Sequence, residues 1–122
     1  MKKAIALLLA LVMVFALCAC GGGDKGTADN GEKVVKIGVF EPASGDSGAG
    51  GKKEMLGMQY ANQETPTVEI GGETYKVELV YSDNGSDSAK AVSAASKLVN
   101  EKVSLVLGSY GSGVSIAASD TF

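Results

Sequence analysis

The sequence predicts an α/β fold with a doubly wound, mainly parallel sheet. Two apolar runs carry the first part of that reading, "KVVKIGVF" at 33–40 and "VSLVLG" at 103–108. Near-continuous runs of this length fit strands buried on both faces. Between and after them lie segments with helical spacing, and the resulting order is strand, helix, strand, helix, strand, helix. Alternation of this kind favours parallel strands joined by crossover helices.

The chain opens on Met1-Lys2-Lys3, then "AIALLLALVMVFAL", then "LCAC" and three glycines. The apolar core is shorter than the roughly 20 residues a membrane helix needs. A positive start, a short apolar core and a small-residue exit fit a secretory signal peptide, with a retained anchor as the alternative. Leu17-Cys18-Ala19-Cys20 has the form of a bacterial lipobox. Residues 1–19 are therefore expected to be a lipoprotein signal peptide, and Cys20 the lipidated first residue of the mature chain. Two or more acyl chains on Cys20 would hold a membrane stably, where one binds only marginally. Cys18 and Cys20 are the only cysteines, so no thiol would remain for a disulfide or a metal. Residues 20–32, rich in glycine and polar residues, read as a flexible tether.

The folded part is expected over 33–122. After the first strand comes a long loop, "EPASGDSGAGG" (41–51). "KKEMLGMQYAN" then places Met55, Met58 and Ala61, with Leu56 and Tyr60, on one helical face. Pro66 ends that helix. "TVEIGGETYKVELVYSD" reads as a hairpin turning at Gly71-Gly72, its longer arm Tyr75 to Tyr81 running into the sheet. The next helix is capped by Ser86 or Asp87 and carries a stripe of Ala91, Val92, Ala95, Leu98 and Val99. Lys97 and Lys102 fall where the helix dipole favours cations. Val103–Leu107 is the third main strand, and a further helix opens near Ser112.

Ligands of such sheets bind outside the carboxyl ends of the strands, where the strand order reverses. With a spatial order 2-1-3, that point lies between the first and third main strands, beside "EPASGDSGAGG" and "GSYGSG". Both loops are rich in small residues, and the second opens a helix whose free N–H groups favour an anion such as a carboxylate.

Composition excludes several classes. The formal net charge is −3, or −5 once Lys2 and Lys3 leave with the leader, and every basic residue is lysine. Nucleic-acid binding asks for a basic face, usually with arginine. There is no histidine, so the commonest general base and metal ligand is absent. "GSYGSGVS" lacks the spacing and lysine of a phosphate-binding loop. Ser112 as a nucleophile would have no histidine base. Asp83, Asp87 and Glu54 lack calcium-loop spacing and read as caps and surface. Met55 and Met58 read as core. No enzyme activity and no cofactor is expected.

The segments "VVKIGVFEPASG", "EMLGMQYA", "YKVELVYSD", "KAVSAASKLVNEKVSLVLGS" and "GSGVSIAAS" stand in an order that resembles the amino-terminal part of periplasmic branched-chain amino-acid-binding proteins. The resemblance spans about 33 to 122. It implies a type I solute-binding fold, two α/β lobes closing on an amino acid, of which this chain would hold part of the first. It also implies delivery to an ABC transporter permease from an extracytoplasmic position, tethered by lipid. A sensory receptor ectodomain of the same fold is the alternative, and a hydrolase or nucleotide enzyme on a doubly wound sheet is more distant. Carried over residue by residue, the family's hydroxyl ligand at the opening of the last helix falls on Ser112, with Tyr110, Gly111 and Gly113 in the same corner. The aromatic residue of the family's first loop falls on Gly50, a departure from the pattern. An uncovered apolar edge is expected at Val103–Leu107.

Overall fold

The computed structural model describes residues 31–122. The expected signal peptide, Cys20 and most of the tether lie outside the described residues.

The elements are β1 (Val34–Val39), α1 (Gly48–Glu64), β2 (Thr67–Ile70), β3 (Glu73–Tyr81), α2 (Ser88–Asn100), β4 (Leu105–Leu107) and α3 (Ser112–Ala118). They build one four-stranded sheet in the order β2-β3-β1-β4. β1 pairs in parallel with β3 on one side (Val35 with Val77, Ile37 with Leu79) and with β4 on the other (Ile37 with Leu105). Without the hairpin arm β2, the main strands stand in the order 2-1-3, the order on which the placing of the loops at the switch point depends.

The hairpin forms as its turn residues dictate. Gly71 and Gly72 have φ of 60° and 81° and join antiparallel β2 and β3. Two consecutive positive φ values make the tight turn whose twist matches the strands, and glycine takes both without steric cost.

The core lies on one face of the sheet. Phe40, Ala91, Ala94, Ala95, Leu98, Val114 and Ala118 are buried together, with Val80, Val103 and Val106 packed against them. The Phe40 and Phe122 rings meet edge to face at 5.4 Å, a favoured aromatic geometry. Gly38 lets the core pack closely here, where a Cβ would stand 3.1 Å from Leu98 Cδ1 and 3.2 Å from Val106 Cγ2. α2 and α3 cover this face, and small alanines let α2 approach closely.

α1 lies over the other face. There the structure departs from the sequence reading. α1 begins at Gly48, so the loop after β1 is shorter than 41–51. Leu56 and Tyr60 are 63% and 65% exposed and belong to the outer face of α1, not to a core stripe. On α2, Val92 and Val99 are likewise exposed, and Ala94 takes the buried position. β1 is not enclosed on both faces: Val35 and Ile37 are only half-buried. Under α1 lies an open concavity of about 820 Å³ lined by Val35, Ile37, Val77, Leu79, Leu105 and Leu107. α1 touches only part of a sheet face that is apolar along three strands.

Candidate functional site

Three loops meet at the carboxyl ends of β1, β3 and β4: residues 40–47, 82–87 and 108–111. Backbone ladders bring them together. Phe40 N donates to Leu107 O at 2.9 Å and Ser82 N to Val39 O at 2.9 Å.

Asp83 ties the first two loops. Its Oδ1 accepts from Ala43 N at 2.7 Å, Ser44 N at 3.3 Å and Gly85 N at 2.9 Å, and its Oδ2 accepts from the Ser44 hydroxyl at 2.6 Å. Desolvation would raise its pKa. The Ser44 hydroxyl and the amides of Gly85, Ala43 and Ser44 outweigh that and hold the carboxyl below its ordinary range. A second clamp lies alongside, where Ser47 N donates to Ser86 Oγ at 3.0 Å.

Asn84 ties all three loops. It is fully buried. Its Nδ2 donates to Phe40 O at 3.2 Å and to Ser109 Oγ at 2.7 Å, and its Oδ1 accepts from Ser86 N at 3.0 Å. A short polar side chain in this place satisfies groups from three segments that would otherwise be left buried without partners.

Glu41 holds the third loop. It is 1% exposed, and its Oε2 accepts from Tyr110 N at 2.7 Å. Its Oε1 is buried with no hydrogen-bond partner. Desolvation pushes the carboxyl up to about 7, helped by the nearby charge of Glu54 and opposed by the Tyr110 amide.

The predicted residues fall around this framework. Ser112 is the first residue of α3, and the cap position is taken by Gly111 at φ 120°. No side chain caps α3, and Ser112 is exposed. The amides of its first turn are therefore open to a ligand. Gly113 lies in that turn beside the start of α2: a Cβ there would be 4.0 Å from Ser88 Oγ. By contrast, α2 is already capped, as Asp87 accepts from Ala89 N at 2.7 Å and Lys90 N at 3.2 Å. Of the two cap candidates on α2, Asp87 holds the place.

Gly50 lies in the first turn of α1, under the Tyr110 ring. A Cβ there would come within 2.6 Å of Tyr110 Cζ and 2.9 Å of its Cε1. The structure thus brings Tyr110, Gly111, Ser112, Gly113 and Gly50 to one corner, and the Tyr110 ring fills the space into which a side chain at 50 would project. Glu41 and Asn84 escaped the sequence reading. A charged residue straight after a strand ordinarily faces water, and nothing local marks Glu41 as buried. Asn84 precedes a helix, where a capping or turn role is the ordinary one.

The family described as periplasmic binding protein matches residues 34–122. The chain belongs to the periplasmic binding protein family. Among curated relatives, Leu/Ile/Val-binding protein homolog 2 of Brucella abortus (strain 2308) is 34% identical over 111 residues. That match takes in 91% of this chain and 28% of the relative. The periplasmic-binding fold is equally plain in solved structures. The leucine-binding protein LivK of Thermotoga maritima is 38% identical with a TM-score of 0.64, over 71% of this chain and 24% of that one. The branched-chain amino acid transporter substrate-binding protein LivJ of Streptococcus pneumoniae, solved with isoleucine, is 34% identical with a TM-score of 0.63, over 73% and 26%. A solute-binding protein of an ABC transporter from R. palustris, solved with benzoate, is 27% identical with a TM-score of 0.61, over 71% and 24%. This periplasmic binding protein chain thus spans about a quarter of the length of the relatives it matches. What it carries is part of the sheet of a type I periplasmic-binding fold, with three loops gathered at the carboxyl ends of its strands.

Proposed function

We propose that this chain is part of the first lobe of an extracytoplasmic solute-binding lipoprotein of an ABC transporter. Its ligand is an amino acid, branched-chain or related, held between closing lobes. The observation that carries the reading is the exposed Ser112 hydroxyl at the uncapped start of α3, beside Gly111 and Gly113. A carboxylate placed there would accept from the hydroxyl and from the open first-turn amides. The ligands in two of the similar structures, isoleucine and benzoate, share that carboxylate. Closure follows from differential affinity, since a ligand bound by both lobes favours the closed state.

The test is a chimera in which residues 34–122 replace the matched segment of the Thermotoga leucine-binding protein. Calorimetry should show leucine or isoleucine binding, and Ser112→Ala should weaken it by roughly 10- to 100-fold, the loss of one hydrogen bond to a charged group. Benzoate binding without leucine binding would move the ligand class to aromatic carboxylates. A folded chimera that binds neither would remove the reading.

Membrane anchoring rests on the sequence of Cys20 and its leader. In cells fed radiolabelled palmitate, the protein should take up label, and Cys20→Ser should abolish it. Equal labelling of the two would rule out Cys20 as the anchor. A receptor of the same fold, in which closure signals rather than delivers, remains the second reading on sequence grounds; signalling without uptake would favour it.

A further inference from the structure

We propose that Glu41 is a positioning residue for the ligand corner: its buried carboxyl holds the Tyr110 amide, and so sets the pose of Tyr110 over Gly50 and the start of α3 at Ser112. This rests on the reading of that corner as a ligand site.

Three observations meet at this side chain. It is buried at the carboxyl end of the central strand, and a carboxyl in that place is costly unless something uses it. One oxygen is committed to the loop before α3, through the 2.7 Å bond from Tyr110 N. The other has no partner, and it crowds Gly108: a Cβ there would stand 2.8 Å from Oε1, and φ is 126°. The carboxyl therefore holds the loop at Tyr110, while Oε1 and Phe40 O together leave room only for glycine at 108. A purely structural brace would be served as well by an amide, whose N–H₂ would occupy the unpartnered position. What an acid adds is a charge that can come and go.

The surroundings decide when it does. From α1, Glu54 faces it with a like charge. The loop after β3 presents neutral Asn84, which bonds Phe40 O beside it. The loop after β4 contributes the Tyr110 amide. Desolvation and Glu54 keep the proton on until about pH 7. Ionisation then strengthens the bond from Tyr110 N, because charged acceptors bind N–H groups more strongly. The linkage runs the other way for stability. A carboxyl with a raised folded pKa holds its proton where the unfolded chain, near its model value of 4.5, has lost it. Stability therefore falls as pH rises through that window, and levels off above about pH 7. Tightening of the corner and loosening of the fold are driven by the same proton.

The experiment follows the Tyr110 amide by ¹H–¹⁵N NMR on the full chain in detergent micelles, with no ligand. In the native chain the Tyr110 proton should move downfield with a midpoint near pH 7. Glu41→Gln should leave Tyr110 ordered and abolish the titration, and should flatten the fall in melting temperature between pH 5 and pH 8, a window set by those two pKa values. Glu54→Gln should move the midpoint downward while keeping it. An amide that does not titrate in the native chain, or titrates alike in Glu41→Gln, would overturn the proposal. Because no ligand is present, that failure is separate from failure of the chimera to bind leucine.

Discussion

Gly45→Ala is expected to cost about 2–5 kcal/mol. Two independent penalties act. Gly45 has φ of +74°, where a side chain meets the following carbonyl, at about 1–2 kcal/mol. Its Cβ would also overlap the carbonyl oxygen of Gly85, a backbone atom that no rotamer change can move. Relieving that overlap means separating the loops that Asp83, Ser44 and Ser86 clamp together, and overpacking typically costs about 1–3 kcal/mol. Against a whole-domain stability of about 5–15 kcal/mol the loss is severe. Chemical denaturation followed by circular dichroism measures it. Gly57→Ala is the control: it sits within α1 with nothing within 4 Å of the added carbon. It should be neutral or stabilise by up to about 1 kcal/mol, the ordinary helix preference. Equal midpoints for the two variants would show that the clamp between the loops is slack.

The second large effect concerns association. The chain is expected to self-associate in the absence of detergent through the sheet face beneath α1. Leu105 and Leu107 on β4 are 47% and 39% exposed, and they adjoin Ile37, Val35, Val77 and Leu79 across three strands. Monomeric soluble proteins rarely leave so continuous an apolar area open. β4 is also an edge strand with free backbone groups, a template for pairing with another chain. A lysine on such an edge blunts both tendencies. Sedimentation velocity at micromolar concentrations should show large species for the native sequence, and Leu105→Lys should shift mass to the monomer. Val92→Lys, on the outer face of α2, should not. A native chain that sediments as a monomer would show that α1 shields this face better than its contacts imply.

Much of the fold was legible because period and punctuation agree locally. The Gly71-Gly72 turn, the Pro66 stop and the cap of α2 each act within a few residues; the first two stand where the sequence puts them, and the cap falls on Asp87, one of its two candidates. The start of α1 was not legible for the opposite reason. Gly48, Ala49, Gly50 and Gly51 have the composition of a loop, and glycine disfavours a helix interior. Tertiary packing overrides that preference. A Cβ on Gly51 would collide with Pro42 O, and one on Gly50 with the Tyr110 ring, so small residues are what let α1 lie against the first loop. Leu56, Tyr60, Val92 and Val99 were assigned inward on periodicity alone. Spacing identifies a helix face, but which part of it meets a neighbour depends on elements distant in sequence. In the candidate corner, strand–helix order together with the family's motif singled out Ser112, Gly111 and Tyr110, and these residues do lie together around the start of α3. Glu41 and Asn84 were not, since each gains its role from partners on other loops, Tyr110 in one case and Phe40 and Ser109 in the other.

The central place of β1 also bears on how the chain is made. Among the described strands β1 leaves the ribosome first, yet its partner on one side is β4, the last of them to emerge. At about 5–20 residues per second, the stretch from Ile37 to Leu105 takes several seconds to synthesise. For that interval one ladder of β1 has no partner, and Phe40 waits for Val114 and Phe122 to arrive. The strand order thus sets a minimum delay, because the sheet around β1 cannot close until β4 has been made.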